Sequence, residues 1–260
     1  MQSSSFTNFS PARLTAALAF SLGLGLGIGM AAPASFAADA VKRAVDLPPS
    51  ADLVYTIKAR QKGFTLAGEA TAQWRLGGGK YSFHSETKAN LFGTLIDDRS
   101  EGAVDSFGLA PTKFVEKRVR KDPWTTTFNR GTREISFSES DVIYPIKGGE
   151  QDRSSVLFQL AGVARAAPDK FVAGAEWTFF VAGRRDADSW TFRVIKPETV
   201  QTGIGAVDTI HLIRLPPPDS KDQVLDIWLA PSKEWYPVRI RFTDNEDEFV
   251  DQTLQMVTRK

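Results

Sequence analysis

Residues 223–242 read QVLDIWLAPSKEWYPVRIRF. Leu225, Ile227 and Leu229 alternate with Val224, Asp226 and Trp228. Beyond the turn-rich PSKEWYP, Val238, Ile240 and Phe242 alternate with Arg239, Arg241 and Thr243. Period-two alternation on both sides of a proline-bearing connection predicts a half-buried antiparallel hairpin. The two apolar triplets share one sheet face only if the register holds, because a slip of one residue turns them all outward.

The same pattern recurs through most of the chain. Pro48-Pro49 blocks helix just ahead of a strand at 51–59 that alternates through Leu53, Tyr55 and Ile57. Gly63 turns the chain into 64–74, where Phe64, Leu66, Gly68, Ala70, Ala72 and Trp74 share a side. Small residues in mid-strand imply close packing or a bend there. Gly77-Gly78-Gly79 leads to alternating Tyr81, Phe83 and Ser85, and residues 94–104 and 109–120 form the next pair. A hairpin over 124–129 and 134–138 turns at Asn129-Arg130-Gly131. Strands resume at 176–182 and 189–195, kink at Lys196-Pro197, and continue through 198–202, 206–215 and, after the hairpin, 249–258.

One segment breaks the pattern. Val156, Leu157, Leu160, Ala161 and Ala164 recur at helical spacing, Asp152 or Ser154 suits an N-cap, and Pro168 stops the run. The expectation is one helix over 154–166 lying against the sheet. No linker-like stretch divides 51–260, which is read as one β-rich domain after a linker at 38–50. The strand units have no fixed period, which argues against a propeller or solenoid.

Residues 1–37 are read as a secretory signal peptide. Arg13 precedes the apolar run 14–32, and Ser35-Phe36-Ala37 supplies the small residues of a cleavage site. An uncleaved anchor is the alternative, disfavoured by the many glycines and the small-residue exit. These residues hold one of the 32 Lys+Arg and none of the 31 Asp+Glu, so the remainder is formally neutral. That gives no electrostatic reason for nucleic acid as a partner. The absence of cysteine excludes disulfides and thiolate metal sites.

Catalytic signatures are missing. His84 and His211 each fall inside a predicted strand without a ligand-spaced partner, and no G-x-S-x-G elbow supports a triad. Gly77-Gly78-Gly79-Lys80 lacks the spacing of a phosphate loop. Asp97-Asp98 and the acidic run Asp244, Glu246, Asp247, Glu248 do not match a calcium loop and read as solvated turns. Lys113, Lys117, Arg118, Arg120 and Lys121 read as a solvated strand face. Trp74, Trp177, Trp190 and Trp228 are core candidates, some of which could line a ligand cavity.

The chain resembles the exported bacterial proteins grouped as domain of unknown function 3108. The likeness rests on Gly68-Glu69-Ala70 with Trp74, on Gly108-Leu109-Ala110-Pro111 with Phe114, and on residues 151–157, QDRSSVL. It is strongest in Ile227-Trp228-Leu229-Ala230-Pro231 and Pro237-Val238-Arg239-Ile240-Arg241. That resemblance carries over no activity and no catalytic residue. At the level of fold alone the layout is also similar to lipoprotein carriers of the bacterial envelope, whose half-barrel holds acyl chains.

The expectation is therefore a mainly β protein: a curved antiparallel sheet or incomplete barrel of about ten to fourteen strands with one packed helix. The leading function is a non-catalytic periplasmic protein, without cofactor, that binds a hydrophobic or lipid-like ligand or a lipidated partner in the concavity. The candidate lining is Trp74, Phe83, Leu157, Phe158 and Trp228. The alternatives are an envelope scaffold acting through its sheet edge, and a glycan hydrolase using Asp/Glu.

Overall fold

The computed structural model describes residues 41–90, 93–216, 223–245 and 247–260. The expected signal peptide, Glu246 of the acidic turn, and Pro217 and Pro218 lie outside them. From its first strand the chain meanders through β1 (Ala51–Gln61), β2 (Phe64–Gly77), β3 (Lys80–Ala89), β4 (Gly93–Asp105), β5 (Gly108–Arg118), β6 (Trp124–Asn129), β7 (Glu134–Phe137) and β8 (Ser140–Pro145). A two-residue β9 (Gln151–Asp152) leads into the helix α1 (Ser155–Ala166). The meander resumes with β10 (Glu176–Ala182), β11 (Ala187–Thr202), β12 (Gly205–Arg214), β13 (Val224–Leu229), β14 (Pro237–Asn245) and β15 (Glu248–Arg259).

All fifteen strands form one sheet in which β1 pairs with β15, so the two meanders meet in its middle. The edges, β8 and β9, are consecutive in the chain. The sheet curls until β9 and the end of β10 approach β5 and β6, where side chains make the bridge in place of a ladder. Thr126 Oγ1 donates to the Gly183 carbonyl at 2.6 Å and Gln151 Nε2 to the Leu109 carbonyl at 2.8 Å. Phe128, Ile135 and Phe137 pack with Ala182 and Ala187 across the seam. The result is an incomplete barrel. Its strand number exceeds the sequence expectation because β8 and β9 carry no apolar alternation to announce them.

The hairpin of residues 223–242 forms as read. Leu225 faces Phe242 and Ile227 faces Ile240, and a bulge at Trp228/Leu229 precedes a turn in which Glu234 and Trp235 take positive φ. The expected kink at Lys196-Pro197 does not occur: β11 runs through it with a bulge between Val194 and Lys196. Its pairing with β10 ends at Arg193, so the following segment is an edge on that side, where proline is tolerated. The small residues of β2 have two separate causes. A Cβ on Gly68 would sit 2.3 Å from the Lys88 carbonyl oxygen, whereas Ala70 and Ala72 face the interior.

Every residue of α1 from Ser155 to Ala164 except Leu157 is buried, which marks a helix enclosed on nearly all sides. Asp152 holds its start, accepting from the backbone N–H groups of Ser154 and Ser155 at 2.9 and 2.8 Å. Gln159 anchors it to the β4–β5 turn, accepting from Leu109 N and donating to the Phe107 carbonyl. Residues 45–50, part of the expected linker, are a packed strap. Asp46 N donates to the Gly162 carbonyl, Trp74 Nε1 to Pro48 and Tyr236 Oη to Pro49.

Candidate functional site

Register determines which side chains meet inside the barrel. One lateral row runs Trp74–Phe83–Ser100–Phe114–Thr126 across β2 to β6. The next runs Ala72–Ser85–Asp98–Glu116–Trp124, and the third Ala70–Thr87–Ile96–Arg118. On the other wall Gln252, Ile240, Ile227 and Leu212 form a row, beside Val250, Phe242, Leu225 and Arg214. Strand alternation puts every member of a row on one face. These inward rows mix apolar side chains with polar and charged ones, the charges being Asp98, Glu116, Arg118 and Arg214.

A cavity of about 220 Å³ lies between this face and α1. Its apolar lining comes from Ala70, Ala72, Phe83, Ile96 and Phe114 on one wall, Leu225, Ile240, Phe242 and Val250 on the other, and Leu157 and Phe158 from the helix. It exceeds the ~150 Å³ that admits benzene in an engineered core and falls below the ~300–1,000 Å³ of drug-sized sites.

The polar groups of the lining include Asp98, Glu116, Arg118, Arg153, Ser154 and Arg214. Asp98 and Glu116 face each other across β4 and β5. Glu116 accepts from Trp124 Nε1 at 3.2 Å and from Arg118 Nε. Asp98 Oδ1 is enclosed and among the described residues has no hydrogen-bond partner. Burial, reinforced by the Glu116 charge, pushes its carboxyl well above the usual carboxylate range, which favours the protonated form. Ser100, next along β4 on the same face, donates to Asp152 Oδ2 at 2.5 Å, which brings the start of α1 against this wall. Burial raises the Asp152 carboxyl as well, against the hydrogen bonds it accepts. On the opposite wall the Arg214 guanidinium lies 4.2 Å from the Trp190 ring centre, with Asp188 3.7 Å away.

The family model "Protein of unknown function (DUF3108)" matches residues 54–250. The chain belongs to that family. Among solved structures, this DUF3108 chain is similar to a beta-barrel-like DUF1849 protein from Brucella abortus, at 13% identity and a TM-score of 0.53, over 84% of this chain and 100% of that one. It is also similar to a protein described as exported, with a YmcC-like fold, from Bacteroides fragilis, at 10% identity and a TM-score of 0.38, over 83% and 100% of the two chains. A third likeness is to an outer membrane lipoprotein-sorting protein domain from Vibrio parahaemolyticus, at 7% identity and a TM-score of 0.27, over 82% and 86%. Of these three only the Brucella protein superposes above 0.5, and it shares the fold alone. No curated protein matches the chain in sequence. Among the described residues no helix is long and apolar enough to cross a membrane.

Three of the five candidate residues of this DUF3108 protein, Phe83, Leu157 and Phe158, meet at the cavity. Trp74 does not reach it: fully buried, it stacks behind Phe158 with ring centres 4.4 Å apart. Trp228 lies on the opposite face of the sheet, because alternation along β13 turns it away from Leu225 and Ile227. There it stacks on His211 at 4.5 Å, has the Arg239 guanidinium 4.5 Å from its ring centre and donates from Nε1 to Glu198. Aromatic content singled out Trp228; parity places it elsewhere.

The charged lining was misread from sequence. Asp97-Asp98 is the middle of β4, not a turn, and among the described residues no metal-ligating cluster forms. The basic stretch of β5 splits by parity: Lys113 and Lys117 are exposed, while Glu116 and Arg118 face inward. The signal was available, since each inward charge interrupts an apolar alternation. Both histidines sit in strands as expected, with cross-strand carboxylates beside them: His84 with Asp97 at 3.1 Å and His211 with Asp226 at 2.7 Å.

Proposed function

We propose that this is an exported, non-catalytic envelope protein that binds one short apolar chain, free or attached to a partner, between its sheet and α1. The observation that carries the reading is the cavity itself, roomy and apolar in a barrel whose own side chains leave it unfilled. Interiors ordinarily pack with few voids larger than a water molecule, so a void of this size lined by Phe83, Ile96, Leu157 and Ile240 suits an apolar guest. The opposed carboxyls Asp98 and Glu116 invite comparison with a hydrolase pair. Glu116, however, is already committed to Arg118 and to the Trp124 indole.

Native mass spectrometry of protein purified from periplasm, coupled to lipid extraction, tests the reading. A bound species of lipid mass that organic solvent removes supports it. Protein that is empty on isolation and fails to take up any apolar probe refutes it. N-terminal sequencing of the same material checks export, with Ala38 as the first residue.

A scaffold role has one specific observation in its favour. β8 is an edge strand with Val142 and Ile143 exposed, a surface open to strand addition. Crosslinking from β8 to an envelope protein, with the cavity empty, would favour that second reading.

A further inference from the structure

The cavity is not uniformly apolar: hydrogen-bond donors stand at several places in its lining. Arg118 projects from β5, Arg153 and Ser154 from the start of α1, and Arg214 from β12, all onto the same space. Arginine offers five N–H donors and no acceptor. Arg118 is engaged with Glu116 and Arg214 with Asp188 and the Trp190 face, so their positions are fixed. Fixed donors recognise a ligand without the entropic cost of ordering long side chains. Beside them the enclosed Oδ1 of Asp98 lacks a partner among the described residues. An unpaired buried polar atom costs about 1–3 kcal/mol, which a complementary ligand group relieves.

We propose that the ligand is an acyl-type amphiphile whose oxygen-acceptor head, a carboxylate or ester carbonyl, lies against Asp98 and Arg118 while its chain runs along Phe83, Leu157 and Ile240. This rests on the cavity reading above and adds to it the chemistry of the head and its orientation. The arginines of the lining donate only, which suits an acceptor head, and the upward shift of the Asp98 carboxyl favours its O–H form, which acts in the same sense. The positive end of the α1 dipole, on the side of Arg153 and Ser154, acts in the same sense. A cationic head would meet arginine on both walls.

Displacement of the neutral fluorescent probe N-phenyl-1-naphthylamine from the purified protein at pH 7.5 tests this. The competitors are decanoate, methyl decanoate, decyltrimethylammonium and acetate. Decanoate or its ester should displace the probe at concentrations at least about tenfold below decyltrimethylammonium, the scale of one charge-assisted hydrogen bond. Acetate should displace nothing. A tighter carboxylate points to a free fatty acid and a tighter ester to an esterified chain; both support an acceptor head. Equal displacement by all three decyl compounds overturns the head assignment and leaves the cavity reading standing. Displacement by acetate alone overturns it in favour of a small-anion site. Failure of the probe and of every competitor to bind overturns both.

Arg118→Gln strands Glu116 and risks the fold, so Asp98→Leu is the informative variant. It should reduce the preference for decanoate over decyltrimethylammonium to about threefold or less, read as the ratio of the two displacement constants within that variant. An unchanged preference in that variant overturns the role of Asp98.

Discussion

Filling the cavity from its wall distinguishes real space from a core that closes up in solution. Ala70 is 2% exposed, lies between Tyr55 and Thr87 in the sheet, and opens onto the cavity. Ala70→Leu adds three carbons. At about 0.8 kcal/mol for each buried methylene, the gain on burial approaches about 2 kcal/mol if the side chain enters unoccupied space. The same swap in a packed region forces neighbours aside and costs about 1–3 kcal/mol. Ala161, fully buried in α1 among Val163, Phe192 and Leu212 and away from the cavity, supplies that contrast. Urea unfolding of the two variants should therefore move in opposite directions, Ala70→Leu neutral to more stable and Ala161→Leu less stable. Ala70→Leu should also abolish binding of a decyl-chain probe while Ala161→Leu retains it. If Ala70→Leu is as destabilising as Ala161→Leu, the space is not there and the proposed function fails with it.

Other perturbations probe the supports of the site. Phe158→Ala removes a ring stacked on Trp74 and 5.2 Å from Phe83, and should cost about 3–5 kcal/mol in urea unfolding while shifting binding toward longer chains. Gln159→Ala strands the Leu109 N–H and the Phe107 carbonyl, at about 1–3 kcal/mol for each buried group left unpaired; a loss below about 0.5 kcal/mol would mean that the β4–β5 turn does not depend on the helix. Asp98→Asn addresses pH. The folded-state carboxyl titrates above its unfolded value, so the native state holds the extra proton and stability falls as pH rises from the ordinary carboxylate range through the folded value. The variant removes that contribution and should gain on the wild type between pH 5 and pH 8, whereas parallel unfolding profiles would contradict the upward shift. Asp152 contributes in the same direction and remains in both proteins.

Much of the fold was legible because a half-buried antiparallel sheet writes its register into a period of two. Residues 223–242, the first two strands and the helix at 155–166 all have apolar faces that local pattern alone identifies. What escaped is what local pattern does not encode. β9 is two residues long and owes its place to Asp152 at the start of α1, a tertiary arrangement. β8 bears Val142 and Ile143, adjacent and both exposed, on an edge, so it shows no apolar alternation to read. Pro197 suggested a kink, but whether a proline breaks a strand depends on what lies beside it, and β10 has already ended there. The strap at 45–50 looked like a linker because the contacts that hold it, to Trp74, Gly162 and Tyr236, are distant in sequence.

The site was harder to read for a more specific reason. Choosing lining residues by aromatic content favours bulk, and bulk is what fills a core: Trp74 plugs the space behind Phe158, and Trp228 covers the other face. A cavity instead needs small side chains opposite medium ones, as Ala70 and Ala72 stand opposite Ile240 and Phe242. Polar positions on an inward row are the second indication, because burial penalises them unless something answers. Extending the alternation of β4 through Ser100, Asp98 and Ile96, and that of β5 through Phe114, Glu116 and Arg118, places two acids and a base on the wall of an apolar barrel. Glu116 is answered by Arg118 and Trp124, while Asp98 Oδ1 has no partner among the described residues. The departures from pattern, more than the pattern, single out the wall on which the proposed ligand site rests.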